Sequence, residues 1–256
     1  MSRGGDVVRT VLRGTGQTLI TLGVVLLLFC VYELKVTNLV TARAQEQLAD
    51  DLRAQWDAPP PAAPPSAPTP AAGAVAVPTP PAAPAPPTAP APPTVAPVEL
   101  GSGIAVLRIP RLGDWNDRPP VVVEGVSTAD LKKGPGHMPG TALPGEVGNV
   151  VLSGHRTTYG APFERFDELR PGDAVVVETR DAWFTYTVTD IRIVAPTAIE
   201  VTYPVPGERG AAPTERLLTL TTCHPRYSAR QRMVVSAELT ATDVKGSGTP
   251  AALAEV

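Results

Sequence analysis

Residues 14–32 contain no charged side chain and include Val24-Val25-Leu26-Leu27-Leu28-Phe29. As a helix this stretch is about 28 Å long, close to the hydrocarbon thickness of a bilayer, and it predicts a transmembrane helix. Gly16 and Gly23, unwelcome in a soluble helix, are tolerated in a spanning one. The pattern changes in the juxtamembrane segment, 33–57. There Leu48, Leu52 and Trp56 recur every four residues, after Leu39, which predicts one apolar face on a short helix or a weak coiled coil. Beyond residue 98 the period shortens again. Short β-branched or apolar runs at 104–109, 120–123, 149–152, 174–178, 183–194, 216–222 and 233–239 alternate with Pro, Gly and Asp turn signals. Only 128–133 and 161–169 read as helical. Closely spaced strands without long helices exclude a Rossmann-type alternation and predict a small, mainly β barrel or sandwich over 98–240. Residues 241–256 are assigned to a disordered C-terminal tail.

Composition separates the anchor from this domain. Seventeen of the 31 prolines and fourteen alanines fall within 58–97, a segment with too little apolar bulk to build a core. It reads as a polyproline-II linker that would reach roughly 120 Å fully extended. Two readings of it stay open: a stalk holding the domain away from the membrane, or a passive solubilising linker. The net charge is −3, and residues 100–240 carry 15 Lys/Arg against 16 Asp/Glu. No basic stripe emerges, which argues against nucleic acid as a partner.

The charges around the apolar run orient it. Arg3, Arg9 and Arg13 in the short N-terminus, 1–13, outweigh Asp6, so the positive-inside rule puts the N-terminus in the cytoplasm and the later residues outside, as a single-pass membrane protein. A cleaved signal is the main alternative. Ala42-Arg43-Ala44 has the right small residues but lies about ten residues beyond the apolar run, too far for ordinary cleavage. A buried soluble helix is the third reading.

Chemistry concentrates on Cys223. The other cysteine, Cys30, sits in the apolar run, so the two are not a disulfide scaffold. A free cysteine is often a small core residue. Pairing 216–223 with 231–239 as a hairpin, with Cys223 opposite Arg232, sets Leu220 against Val235 and Leu218 against Ala237. Thr221 then meets Val234 and Thr219 meets Ser236, and Cys223 and Arg232 fall together on the more polar face. A thiol at a strand end beside a guanidinium is a nucleophile candidate, because the positive neighbour favours the thiolate.

Three histidines could carry its proton. His155 ends the apolar strand Asn149-Val150-Val151-Leu152-Ser153-Gly154, at a sheet rim where catalytic groups are often presented. His137 lies in a Gly/Pro-rich loop where an exposed polar residue needs no special reason. His224 follows Cys223 directly and would point to the opposite face. Zinc on Cys223, His155, His224 and Asp190 lacks any known ligand spacing.

These residues resemble a known family. Thr219-Leu220-Thr221-Thr222-Cys223 is similar to the TLxTC signature of sortases, the cysteine transpeptidases of Gram-positive envelopes, and the chain as a whole most resembles the actinobacterial class E members. Arg232, nine residues on, and His155 within Leu152-Ser153-Gly154-His155-Arg156 match the family's arginine and histidine. The resemblance implies an eight-stranded β-barrel with short helices. It implies that Cys223, His155 and Arg232 are catalytic, with Ser153 and Thr222 as supports. It also implies cleavage of an LPxTG- or LAxTG-like sorting signal between Thr and Gly through a thioester. Secreted proteins bearing such signals would be one partner, and peptidoglycan or its lipid-linked precursor the amine acceptor. No cofactor is called for. Calcium occurs in some members, but no acidic cluster here is assignable to it. Two rivals stand beside this reading. An L,D-transpeptidase would show Ser-x-Gly-Cys, which Cys223 lacks, and a stalked wall-binding β-domain would leave the three residue types a coincidence.

Overall fold

The computed structural model describes residues 3–32, 37–59, 99–113 and 118–254. The Pro/Ala tract lies outside the described residues apart from its first two positions. Helix α1 spans Arg3–Val31, and its Val7–Val31 portion is long and apolar enough to cross a membrane. Leu19, Ile20, Leu26 and Leu27 on it are exposed, so this helix is not part of the protein core.

Eight strands close into a barrel in the order β1-β2-β3-β4-β7-β8-β6-β5. They are β1 Gly103–Arg108, β2 Val121–Glu124, β3 Gly136–His137, β4 Gly148–Ser153, β5 Ala174–Glu178, β6 Ala182–Val194, β7 Arg216–His224 and β8 Gln231–Val244. Closure leaves no edge strand exposed. Strand β1 alternates as an amphipathic strand should: Ala105 and Leu107 face inward, while Ile104, Val106 and Arg108 are half-buried. Leu152, Leu218, Leu220, Val235, Phe163, Phe166 and Tyr186 complete the core. Burial pushes the Tyr186 phenol up to about 12, while its oxygen accepts a hydrogen bond from the Gly145 amide at 2.9 Å.

Strands β4 and β7 are buried on both faces, because the β6–β7 connection lies over them. Asn149 Nδ2 donates to the carbonyls of Val201 (3.1 Å) and Tyr203 (3.0 Å), and the Thr219 hydroxyl donates to Asn149 Oδ1 at 2.8 Å. These bonds satisfy the polar groups that the cover buries.

Helix α2, Thr37–Asp57, carries the predicted stripe, but it serves the barrel. Leu48 and Leu52 are buried against Val121 and Val123 of β2, with Trp56 beside them. The stripe continues as polar anchors. Gln45 Nε2 donates to the carbonyls of Lys133 (2.8 Å) and Val121 (3.1 Å), and its Oε1 accepts from the Val121 amide at 2.7 Å. Leu39 is exposed.

Several expectations change. Strand β3 was not predicted: two residues in a Gly/Pro-rich segment carry no periodicity. The stretch 161–169 is no α-helix; it forms turns and a 3-10 segment at Phe166–Glu168. Its buried Phe163 and Phe166, stacked with ring centroids 4.0 Å apart, sit three residues apart, a spacing that suits the tighter helix. The predicted helix at 128–133 is shorter, α3 Thr128–Leu131, opened by a capping box between Ser127 and Asp130. The described part of the segment from 241, residues 241–254, carries regular structure at both ends. Strand β8 runs on to Val244, paired with Ala182, and α4 follows at Ala251–Ala254. The pairing with β6 extends β8 where its own sequence turns polar.

Candidate active site

The hairpin β7–β8 has the register expected from its pattern. Cys223 pairs with Arg232, Leu220 with Val235, Leu218 with Ala237, Thr221 with Val234 and Thr219 with Ser236. Cys223 is a free, half-buried thiol. Arg232 is half-buried, and its Nη1 donates to the carbonyls of Ala229 and Gln231, both at 3.0 Å, which ties the guanidinium to the loop between the strands.

His155 arrives from the parallel neighbour. Ser153 of β4 pairs with Thr221 of β7, and the Gly154 amide donates to the Thr221 carbonyl at 3.1 Å. His155 and Cys223 each follow this last pair by two residues. The Thr222 hydroxyl, buried, donates to the Gly154 carbonyl at 2.8 Å and so pins the two strand ends together. Ser153 contributes through the ladder, where it pairs with Gly136 and Thr221. Gly154 is needed for space: a Cβ there would lie 2.7 Å from the Phe163 ring.

Burial holds the His155 imidazole below the ordinary histidine range, and the Lys132 charge adds to the effect. Its Nε2 is buried with no hydrogen-bond partner. The chain turns tightly beyond it: the Phe163 amide donates to the His155 carbonyl at 3.0 Å, and Tyr159 and Ala161 take left-handed φ values of 52° and 43°. Such angles cost a residue with a side chain roughly 1–2 kcal/mol each. Strain of this kind collects where function fixes the backbone.

The other two histidines are placed differently. His224 is turned toward Arg156, whose Nη1 lies 3.2 Å from its Nδ1. His137 is not an exposed loop residue. It is buried in β3, with Nδ1 2.7 Å from the Glu124 carboxylate and Nε2 3.0 Å from both the Ala142 carbonyl and the Thr141 hydroxyl. A buried imidazole so surrounded is a structural link between β2 and the β3–β4 loop. Asp190 sits far along β6, opposite Ser236, and among the described residues no group of three or more His, Cys, Asp or Glu is placed to hold a metal ion.

Arg156 was not singled out by the sequence. It is buried and joins three elements: Nη2 donates to Asp167 at 3.0 Å, and Nη1 reaches His224 and, at 3.6 Å, Met233 Sδ. Partial burial works against ionisation of Asp167. Its own backbone amide, Arg226 and Arg156 outweigh that and hold the carboxyl below its usual range. The only sequence signal was its place after His155, where an arginine reads as an exposed strand-end residue.

The sortase-domain family model matches residues 107–240, most of the barrel together with Cys223, His155 and Arg232. Sortase SrtE1 of Streptomyces coelicolor is 33% identical over 94% of this chain, which spans 60% of that relative's length. Sortase SrtE2 of the same organism is 30% identical over 97% of this chain and 90% of its own. Among solved structures, sortase E from Streptomyces avermitilis superposes with a TM-score of 0.55 at 43% identity, covering 61% of this chain and 99% of that one. Sortase E1 from S. coelicolor with a tripeptide in the active site gives 0.54 at 38% identity, over 60% and 97%. On the matched domain and these relatives, the chain is an enzyme that belongs to the sortase family of transpeptidases and resembles its class E members.

Proposed function

We propose that this sortase cleaves an LPxTG- or LAxTG-like sorting signal between Thr and Gly and transfers the protein to a peptidoglycan amine. In the first stage Cys223 Sγ attacks the threonine carbonyl carbon and forms a C–S bond. The resulting oxyanion collapses and breaks the C–N bond, and the glycine amine leaves with a proton from His155. In the second stage an amine on a peptidoglycan stem or its lipid-linked precursor attacks the thioester. It gives its proton to His155, and the C–S bond breaks to restore the thiolate. Arg232, with five N–H donors in a fixed fork, would hold the substrate backbone and stabilise the oxyanion. Thr222 and Ser153 support the two strand ends.

The observation that carries this reading is the parallel β4–β7 pairing. Its last pair, Ser153 with Thr221, lies two residues before His155 on one strand and two before Cys223 on the other, while the antiparallel partner sets Arg232 opposite the same cysteine, and both features support the three residues as one site. Burial holds the His155 imidazole below its ordinary range and so favours the neutral form, the state in which it would accept the proton of the incoming amine. The helix α1 supports a single-pass anchor, with the three N-terminal arginines inside and the barrel outside the cell.

Intact-protein mass spectrometry tests the assignment. Mixed with sorting-signal peptide and no amine, the wild type should show an acyl adduct on Cys223 that vanishes on adding hydroxylamine. Cys223→Ala should form none, and His155→Ala should lose turnover by at least about a hundredfold. Arg232→Lys keeps the charge without the fork and should transfer poorly. Undiminished turnover by Cys223→Ala would sink the reading.

A further inference from the structure

The buried Nε2 of His155 has no hydrogen-bond partner, so packing must supply what holds that side of the ring. Tyr159 is in contact: the two ring centroids are 5.0 Å apart and tilted by 42°. On Tyr159 in turn rides Lys132, its Nζ 5.4 Å from the ring centroid. Lys132 and Tyr159 belong to separate loops, one after α3 and one after β4. What both loops share is the start of α2. The Thr41 hydroxyl donates to the Lys132 carbonyl at 2.8 Å, and Asn38 Oδ1 accepts from the Gly160 amide at 2.9 Å. The fit is close: a Cβ on Gly160 would stand 3.2 Å from Thr41 Cγ2, and one on Gly134 would stand 2.2 Å from Gln45 Nε2.

We propose that Tyr159 and Lys132 are positioning residues for His155, and that α2, through Asn38 and Thr41, clamps the two loops that carry them. This rests on the reading of His155 as the acid–base group. The juxtamembrane helix is then part of the active site's support as well as the link to the anchor. The charged and titratable groups of the neighbouring elements are Tyr159, in contact with His155, Lys132 over Tyr159, Arg156 next in the chain with its partners Asp167 and His224, and Cys223 with Arg232 on the paired strands β7 and β8. Of these, Lys132 is the one α2 grips, by its main-chain carbonyl. With the clamp released, Tyr159 and Lys132 move off, His155 gains water and loses a nearby positive charge, and both changes favour its protonation.

The test is the titration of His155 itself, read by NMR of histidine-labelled full-length protein in lipid nanodiscs. There are three histidines to assign, and the Cys223→Ala background removes turnover from the measurement. In Tyr159→Leu, in Lys132→Met and in the double variant Asn38→Ala/Thr41→Val, the His155 midpoint should move up toward the ordinary histidine range. Tyr159→Phe, which keeps the ring, should leave it in place. The His137 signal, locked beside Glu124, reports that the barrel is intact and should not move. In the Cys223-bearing enzyme the double variant should lower kcat for a soluble peptide roughly tenfold with KM little changed, as expected for a misplaced reacting group. An unmoved His155 midpoint in Tyr159→Leu or in the double variant overturns the proposal. The acid–base reading fails on a separate result, undiminished turnover by His155→Ala, so the two failures are told apart.

Discussion

Arg156 shows how one buried charge can hold a site that it does not line. Its guanidinium bridges Asp167 on the loop beyond β4 and His224 at the end of β7, the residue next to the candidate nucleophile. Arg156→Met removes the bridge and leaves Asp167 and His224 without it. Because Asp167 is 47% exposed, water recovers part of the loss, and we expect a cost of about 1–3 kcal/mol in chemical denaturation. Arg156→Lys should restore little, since an ammonium cannot fork to both partners. His224→Ala loses one arm of this link and should impair turnover far less than His155→Ala. Equal losses would mean that His224 faces the substrate. The hairpin around Cys223 was legible residue by residue, because a one-residue slip would have put Leu218 and Leu220 on the wrong face. Arg156 and Tyr159 were not, because their partners lie on elements distant in sequence, and such contacts leave no local periodicity.

Helix α2 was readable as a helix and unreadable as a partner. The spacing of Leu48, Leu52 and Trp56 gives the face, while the surface that receives it, Val121 and Val123, belongs to a strand some seventy residues on. In β2 all four residues are buried, and that pattern alone cannot say whether a helix or another sheet covers the outer side. The consequence is measurable. Leu52, 3% exposed, replaced by Asp should cost about 2–4 kcal/mol, from lost burial and an unpaired carboxylate against Val121. A fragment beginning at residue 98 should likewise unfold several degrees below one beginning at residue 37. Equal melting temperatures for the two fragments would show that α2 adds nothing to the barrel. The C-terminal boundary matters for the same reason, since a cut at residue 240 removes the stretch of β8 that pairs with Ala182, Trp183, Phe184 and Thr185.

At the scale of the whole molecule, chain order decides what the Pro/Ala tract does. Helix α2 precedes the tract and already sits on the barrel, so the tract joins two elements that both touch the barrel and does not separate the barrel from the anchor. Tyr32 and Thr37 are five Cα steps apart, at most about 18 Å. The start of α2 touches Gly160 and Lys132 at the candidate active-site rim. Its far end, about 30 Å away, meets Lys245 over Trp56 and Arg180 at the Ala58 carbonyl. On the proposed topology, with α1 in the bilayer, the short link would tether the barrel near the membrane by the rim that the start of α2 touches, where a membrane-held sorting signal or a lipid-linked acceptor would be met. Deleting twenty residues of the tract leaves enough chain, at about 3.1 Å per residue, to return along the helix. That deletion should leave anchoring of a membrane-held substrate in cells unchanged. Inserting a rigid helical spacer of similar length between α1 and α2 should reduce it severalfold, while cleavage of a soluble peptide by the purified protein stays the same. The reverse pattern, with loss on shortening the tract and tolerance of the spacer, would restore the tract as the stalk that sets the enzyme's reach.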